Sequence, residues 1–124
     1  MPKSMRPITT YKLFDSETIT KDTNESSVAV DLREVAQDGT FSLDYYITGD
    51  GTLTLEYTLC ATKDGTFIES SHASDIATGL TKTSGTSGRD VIPLEPELSP
   101  FMKIKVTETG TSSDAVITLN LHVQ

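Results

Sequence analysis

Few residues of this chain have side chains that could carry out covalent chemistry. The sequence contains one cysteine, Cys60, and two histidines, His72 and His122. A nucleophilic cysteine needs a histidine and an orienting carboxylate beside it, and only these two histidines could serve. We therefore interpret Cys60 as a small strand residue, and we predict no catalytic residues and no enzymatic activity. His122 falls on the polar side of its strand, where a solvated side chain is expected.

Three Asp-Gly-Thr triplets could offer carboxylates to a metal ion. They begin at Asp38, Asp50 and Asp64, and an apolar residue follows each of them within two positions. Calcium needs several oxygen ligands that converge within a few residues, and none of these turns supplies such a set alone. Asp-Gly is also a strong signal for a short chain reversal. We predict three turns, no metal site and no cofactor.

Two further motifs match known signals only in part. Residues 81–89, TKTSGTSGR, lack the Gly-Lys-Ser/Thr ending of a phosphate loop and do not join a strand to a helix. Asn24-Glu25-Ser26 matches a glycosylation sequon, but the amino terminus lacks the apolar region of a secretory signal. We predict neither nucleotide binding nor glycosylation.

The composition is that of one acidic β-rich domain. The 124 residues carry a formal charge of −8, include abundant Thr and Ser, and contain no Trp. Such a surface repels phosphate, which argues against nucleic-acid and anionic-membrane partners. No apolar stretch approaches the length of a membrane span, so we expect synthesis in a cytoplasm. A single cysteine excludes an intrachain disulfide.

Positive charge is concentrated at the amino terminus. Residues 1–12 contain Lys3, Arg6 and Lys12 and no acid, whereas the remaining chain has seven basic and eighteen acidic residues, a charge of −11. This contrast predicts that the basic arm contacts an acidic surface on another subunit. Lys3, Arg6 and Lys12 are the predicted interaction residues.

The same contrast gives the predicted domain organisation. Residues 1–25 are interpreted as an extended arm, basic and then polar, with a possible edge strand over residues 8–14. Residues 26–124 are interpreted as a single β-sandwich domain.

Apolar residues alternate most clearly between residues 41 and 60. Phe41, Leu43, Tyr45 and Ile47 share one side of the first run, and Leu53, Leu55, Tyr57 and Leu59 share one side of the second. Alternation with a period of two is typical of half-buried strands. The glycine-rich turn between the runs predicts a β-hairpin, with the two strands as antiparallel neighbours.

Further alternation predicts the remaining strands. They cover residues 28–32, 91–94, 101–107 and 115–123, with a long polar loop over residues 69–90. Seven or eight short strands without a helix indicate an all-β, antiparallel sandwich, and a jelly-roll-like topology is preferred. An immunoglobulin-like sandwich is the alternative, although the chain has neither the cysteine pair nor the tryptophan of that fold.

Residues 39–124 resemble small proteins encoded among the structural genes of tailed bacteriophages and prophages. The shared features are the Thr-Gly-Asp-Gly-Thr turn at 48–52, the Lys-Asp-Gly turn followed by Phe67, and the strand FMKIKVTE at 101–108. The resemblance implies a capsid decoration or other virion accessory protein, of a kind that often assembles as trimers on a shell. It transfers no functional residues, because the family has no catalytic motif.

We therefore expect a structural virion protein, made in the host cytoplasm, that forms a homo-oligomer and binds the major capsid protein or another virion protein. The alternative is a carbohydrate-binding or adhesin-like module on the same fold. Sugar sites usually expose aromatic rings, and Tyr46 is the main aromatic residue on a polar side of a strand. With no Trp in the chain, we favour the assembly role.

Overall fold

The computed structural model describes residues 7–124, which form nine β-strands and no α-helix. Within this part of the chain, no helix is long and apolar enough to cross a membrane. The strands are β1 (Thr9–Ile19), β2 (Asn24–Ser26), β3 (Val30–Asp31), β4 (Phe41–Gly49), β5 (Leu53–Cys60), β6 (Ala77–Leu80), β7 (Arg89–Leu94), β8 (Phe101–Glu108) and β9 (Ala115–Val123).

The strands form two antiparallel sheets. Sheet A has the order β1, β9, β4, β7, and sheet B has the order β2, β8, β5, β6. β3 also pairs with β8, beyond the part of β8 that pairs with β2, so β2 and β3 share one edge of sheet B. The first and last strands are neighbours, and the chain changes sheet repeatedly. This is the jelly-roll arrangement, as predicted.

The core lies between the sheets and is built by the alternating residues. The inward side chains of β4 and β9 are buried, as are those of β5 and β8, which confirms the predicted inward faces. Full burial of each large aliphatic side chain contributes about 1.5 to 3 kcal/mol. The largest fully buried side chains in the described chain include Leu43, Ile47, Leu53, Leu55, Met102, Ile104, Ile117, Leu119 and Leu121.

The predicted hairpin between β4 and β5 is wrong. β4 lies in sheet A between β9 and β7, whereas β5 lies in sheet B between β8 and β6. The turn at residues 49–52 therefore carries the chain from one sheet to the other. Gly51 is needed there because a Cβ atom would lie 2.8 Å from the carbonyl oxygen of Ser113. Alternation identified the buried faces correctly. It does not reveal whether two strands pair in one hairpin or lie in two facing sheets, because both arrangements produce the same alternation.

Three other predicted segments differ from the structure. The strand predicted at 28–32 is interrupted, because Val28 is 72% exposed and only Val30–Asp31 pair as β3. The polar part of the predicted arm begins, after residue 14, with the second half of β1, which continues to Ile19 through two register irregularities. The predicted loop at 69–90 contains β6, which is short and has one buried residue, Leu80.

The predicted arm also overlaps the sandwich. Its possible edge strand exists as β1, which pairs with β9 at one edge of sheet A. β2 pairs with β8 in sheet B. Residues 9–19 and 24–26 are therefore part of the two sheets, because their backbone groups complete the ladders of β9 and β8.

The two ends of the sandwich carry different connections. Thr9 and Phe41 both lie opposite Val123, and Phe41 also lies opposite Leu94. We call this the Phe41 end; in sheet B it carries Cys60 and the connections at 61–76 and 95–100. The opposite end carries the connections at 20–23, 50–52, 81–88 and 109–114, and we call it the Glu108 end.

A buried carboxylate joins the connections at the Glu108 end. The side chain of Glu108 is 1% exposed, and its Oε1 accepts hydrogen bonds from the backbone N–H groups of Asp22 (3.0 Å) and Thr111 (2.9 Å). Its Oε2 accepts from those of Thr52 (2.8 Å) and Gly110 (2.7 Å). Burial by itself would raise the pKa of Glu108, but these four hydrogen bonds outweigh it and lower the pKa to about 2.

Candidate functional site

Of the three predicted interaction residues, Lys12 lies in the described part of the chain. Lys12 lies on β1 opposite Asn120, and its exposed Nζ is 3.8 Å from an oxygen of Asp15. Lys3 and Arg6 lie outside the described residues. Their role in binding another subunit stays a prediction.

The aspartates of the three Asp-Gly turns do not converge. Asp38 and Asp64 lie on two different connections at the Phe41 end, and Asp50 lies at the Glu108 end. Asp50 accepts a hydrogen bond from Lys82 Nζ at 2.6 Å, which lowers the pKa of its carboxyl group. The three turns therefore offer no common set of ligands.

A different group of carboxylates comes together on β5 and the connection that follows it. Oxygen atoms of Glu56, Glu69 and Asp75 lie within 4.8 Å of one another. Partial burial raises the pKa of Glu56, and the negative charge of Glu69 raises it further. We call these residues the acidic cluster. Carboxylates alone do not define a metal site, because exposed acids often gather without an ion.

We expect the fold to be independent of divalent cations. Millimolar chelator should leave the melting temperature unchanged, because ordinary hydrogen bonds and apolar contacts hold the sheets together. Differential scanning fluorimetry with and without EDTA measures this. A fall of several degrees in EDTA, reversed by calcium, would show that the acidic cluster holds an ion.

A cleft of about 360 Å³ lies beside the acidic cluster, and Tyr57, His72, Asp75 and Glu97 are among the residues that line it. The Tyr57 hydroxyl donates a hydrogen bond to Glu97 Oε2. Burial and this bond raise the pKa of Tyr57 to about 12, and the same bond lowers the pKa of Glu97. The Tyr57 ring is buried, so it offers no face for a ligand to stack on.

A polar network crosses the outer face of sheet A. Thr10 Oγ1 lies 2.8 Å from His122 Nδ1, and His122 Nε2 is hydrogen-bonded to Asp44 Oδ2. Asn120 Nδ2 donates to the other oxygen of Asp44 at 2.9 Å. The network therefore links three adjacent strands, β1, β9 and β4. The prediction of a solvated His122 is wrong, because its side chain is half-buried between two partners.

The network places a hydroxyl, an imidazole and a carboxylate in the same order as the catalytic groups of many hydrolases. The amino-acid sequence alone did not reveal this arrangement. Thr10 and His122 are 112 positions apart, and His122 and Asp44 are 78 apart, so only the register of the sheet brings them together. Acyl transfer also requires donors aimed at the developing oxyanion. Here the β9 and β4 backbone runs inside the ladder, with its N–H groups directed at neighbouring strands. We interpret the network as a cross-strand stabiliser of β1.

His122→Ala should destabilise the domain by roughly 1 to 2 kcal/mol, because Thr10 and Asp44 each lose a partner. Hydrogen exchange should increase most in β1, the edge strand that the network holds to β9 and β4. Urea denaturation and amide exchange measure the two effects. Ser42→Ala, on the same face and opposite His122, is the matched control. Equal exchange rates in β1 for both variants would disprove the stabilising role.

An apolar groove opens at the Phe41 end of sheet B. It has a volume of about 600 Å³, and its lining includes Leu59, Cys60, Ile68 and Leu98. Ile68 is 63% exposed and Leu98 is 78% exposed. Glu69 of the acidic cluster and Glu97 also line it. We call this the Leu98 groove.

A second groove lies on the outer face of sheet A. It has a volume of about 530 Å³ and is lined in part by Asp44, Tyr46, Arg89 and Asn120. The Arg89 guanidinium lies 3.8 Å from the centroid of the exposed Tyr46 ring, within the range of a cation–π contact. One face of the ring is therefore already covered.

No protein-family model and no curated protein sequence matches this chain. Among solved structures, it is similar to the VP2 subviral particle of infectious bursal disease virus, with 13% identity over 95% of this chain and a TM-score of 0.51. Structures of the Gx strain of that virus (13% identity, 94% of this chain, TM-score 0.48) and of the Yersinia pseudotuberculosis-derived mitogen (15%, 97%, 0.44) are also similar. The chain spans 32% of each viral chain and 88% of the mitogen. The first likeness shows a shared β-sandwich fold.

Proposed function

We propose that this protein is a structural component of a virus particle, which associates with its own copies and binds the particle surface. The observation that carries the proposal is the grouping of exposed large apolar side chains at one end of the sandwich. Ile8, Ile68 and Leu98 are more than 60% exposed, and all three lie at the Phe41 end. Exposed apolar surface of this kind is typical of contacts with other proteins.

The jelly-roll fold is consistent with this role. The same fold occurs in part of the VP2 chain of a viral subviral particle. Fold alone does not determine function, so the likeness supports the proposal only together with the exposed apolar end.

The finer assignment is a decoration or accessory protein of a tailed bacteriophage. It is supported by the resemblance of residues 39–124 to products of phage structural genes. On this proposal the partner is the major capsid protein or another virion protein, the location is the virion, and the protein catalyses no reaction.

Self-association is the part of the proposal that purified protein can test. At about 10 to 100 µM, the particles formed by the full chain should have a mass of more than one chain of 13.4 kDa. We propose that they contain three copies. Light scattering coupled to size-exclusion chromatography measures this mass. A mass of one chain across that concentration range would contradict the proposal.

Carbohydrate binding is the second candidate, and the groove beside Tyr46 is the observation in its favour. An exposed ring, the Asp44 carboxylate and the Asn120 amide are groups that can hold a sugar. Arg89 argues against stacking, because its guanidinium already covers one face of the ring. A glycan array probed with the wild type and Tyr46→Ala distinguishes the two functions. Binding that is lost in the variant would favour the carbohydrate module.

A further inference from the structure

The structure points to the Leu98 groove as the receptor for residues 1–6 of a second copy of this chain. This inference rests on the self-association described under Proposed function, and it adds the surface and the segment that make the contact. Two properties of the groove, its apolar lining and its acidic rim, match the composition of that segment.

The apolar match involves side chains that are exposed in the single chain. Ile68 and Leu98 project beside a floor formed by Leu59 and Cys60. Residues 1–6 include two methionines and one proline. Methionine adapts to irregular apolar surfaces, and proline favours an extended segment that can lie in a groove. Covering Ile68 and Leu98 would remove the largest exposed apolar side chains of this surface from water.

The charge match involves the acidic rim. Glu69 and Glu97 line the groove, and Glu69 belongs to the acidic cluster. Among the described residues that line the groove, two are acidic and none is a lysine or an arginine. Residues 1–6, in contrast, contain Lys3 and Arg6 and no acid. Opposite charges on the two surfaces favour their association and fix its direction.

The positions of donor and receptor favour contact between copies. Thr9 begins β1 at one edge of sheet A, and Ile68 pairs with Leu59 on the side of β5 that faces away from β8. Both lie at the Phe41 end but toward opposite edges of the sandwich. A contact from one edge of a copy to the other edge of the next is heterologous, and such contacts form a closed ring when the rotation allows it. A segment of six residues can span at most about 20 Å when it is fully extended.

The test compares three variants of the full chain by light scattering and sedimentation, with circular dichroism to verify folding. Deletion of residues 1–6 removes the donor, and Leu98→Asp places a charge in the receptor. Each should raise the dissociation constant roughly 10- to 100-fold, as expected for the loss of one or two buried apolar contacts. Val91→Asp is the control, because it places the same charge at an exposed apolar residue outside the groove. It should leave the dissociation constant unchanged.

Mixing the two deficient variants tests whether the arm acts between copies. The deletion variant has an intact groove, and Leu98→Asp has an intact arm, so a mixture should form heterodimers at concentrations where each alone is monomeric. A mixture that stays monomeric would mean that the arm binds its own groove, and the inference would be wrong.

The outcomes also separate the inference from the proposed function. A wild-type protein that is monomeric would contradict both the proposed self-association and the assignment of the arm to the groove. A wild-type oligomer that survives either the deletion or Leu98→Asp would leave self-association intact and overturn only the assignment of this arm to this groove. Loss of the oligomer in Val91→Asp to the same extent would overturn it as well, since the effect would then not be specific to the groove.

Discussion

Replacing Leu55 with aspartate should abolish folding of the domain. Leu55 is 0% exposed and lies in the middle of β5, opposite Val106 of β8. The substitution removes about 2 kcal/mol of hydrophobic stabilisation or more, and burial of an unpaired carboxylate costs several kcal/mol in addition. Together these approach the total stability of about 5 to 15 kcal/mol that is usual for a domain.

Circular dichroism and urea denaturation measure the effect of Leu55→Asp. The matched control is Val91→Asp, which introduces the same charge at an apolar residue that is 67% exposed, and which should leave the urea midpoint nearly unchanged. A cooperative transition for Leu55→Asp at the wild-type midpoint would show that the space between the sheets is not the core.

Replacing Glu108 with alanine should destabilise the domain by about 3 kcal/mol or more. Four backbone N–H groups would lose their common acceptor. Three connections at the Glu108 end would then no longer be hydrogen-bonded to one side chain. For a chain of this size the expected fall in melting temperature is about 10 °C. Glu25→Ala, at an exposed carboxylate on β2, is the control and should change the melting temperature little. Equal melting temperatures for the two variants would contradict the proposed stabilisation by the Glu108 carboxylate.

The same residue predicts how stability depends on pH. The pKa of Glu108 is about 2 in the folded protein, below the value of about 4.3 expected for an unfolded chain. The stabilisation is therefore fully present above about pH 4.3, and it is lost as the pH falls toward 2. Urea denaturation between pH 7 and pH 2 should show a steeper loss of stability for the wild type than for Glu108→Ala. Parallel pH profiles would mean that Glu108 has an ordinary pKa.

Alternation of apolar residues was sufficient to predict the buried faces but not which strands pair. The inward sets of β4 and β5 were identified correctly, because every second side chain contacts the core in any half-buried strand. Pairing depends on contacts between distant segments, such as β4 with β9, which a local pattern does not contain. A short glycine turn between two strands therefore predicts a hairpin, although here it connects two sheets.

The side-chain networks were unpredictable for the same reason. Glu108 ends β8, and nothing in the local sequence marks its carboxylate as buried. His122 meets Asp44 only because β9 lies beside β4 in a particular register. The charge contrast between the arm and the remaining chain, by comparison, is a property of composition and was available from the sequence.

The protein content of purified particles tests the proposed role most directly. Particles released from cells that carry this gene should be purified through a density gradient and analysed by quantitative mass spectrometry. We predict that peptides of this chain sediment with the major capsid protein, at a fixed ratio across the particle peak, while abundant host proteins fall away. Absence of the chain from intact particles, with the chain present in the soluble fraction, would contradict a structural role in the virion.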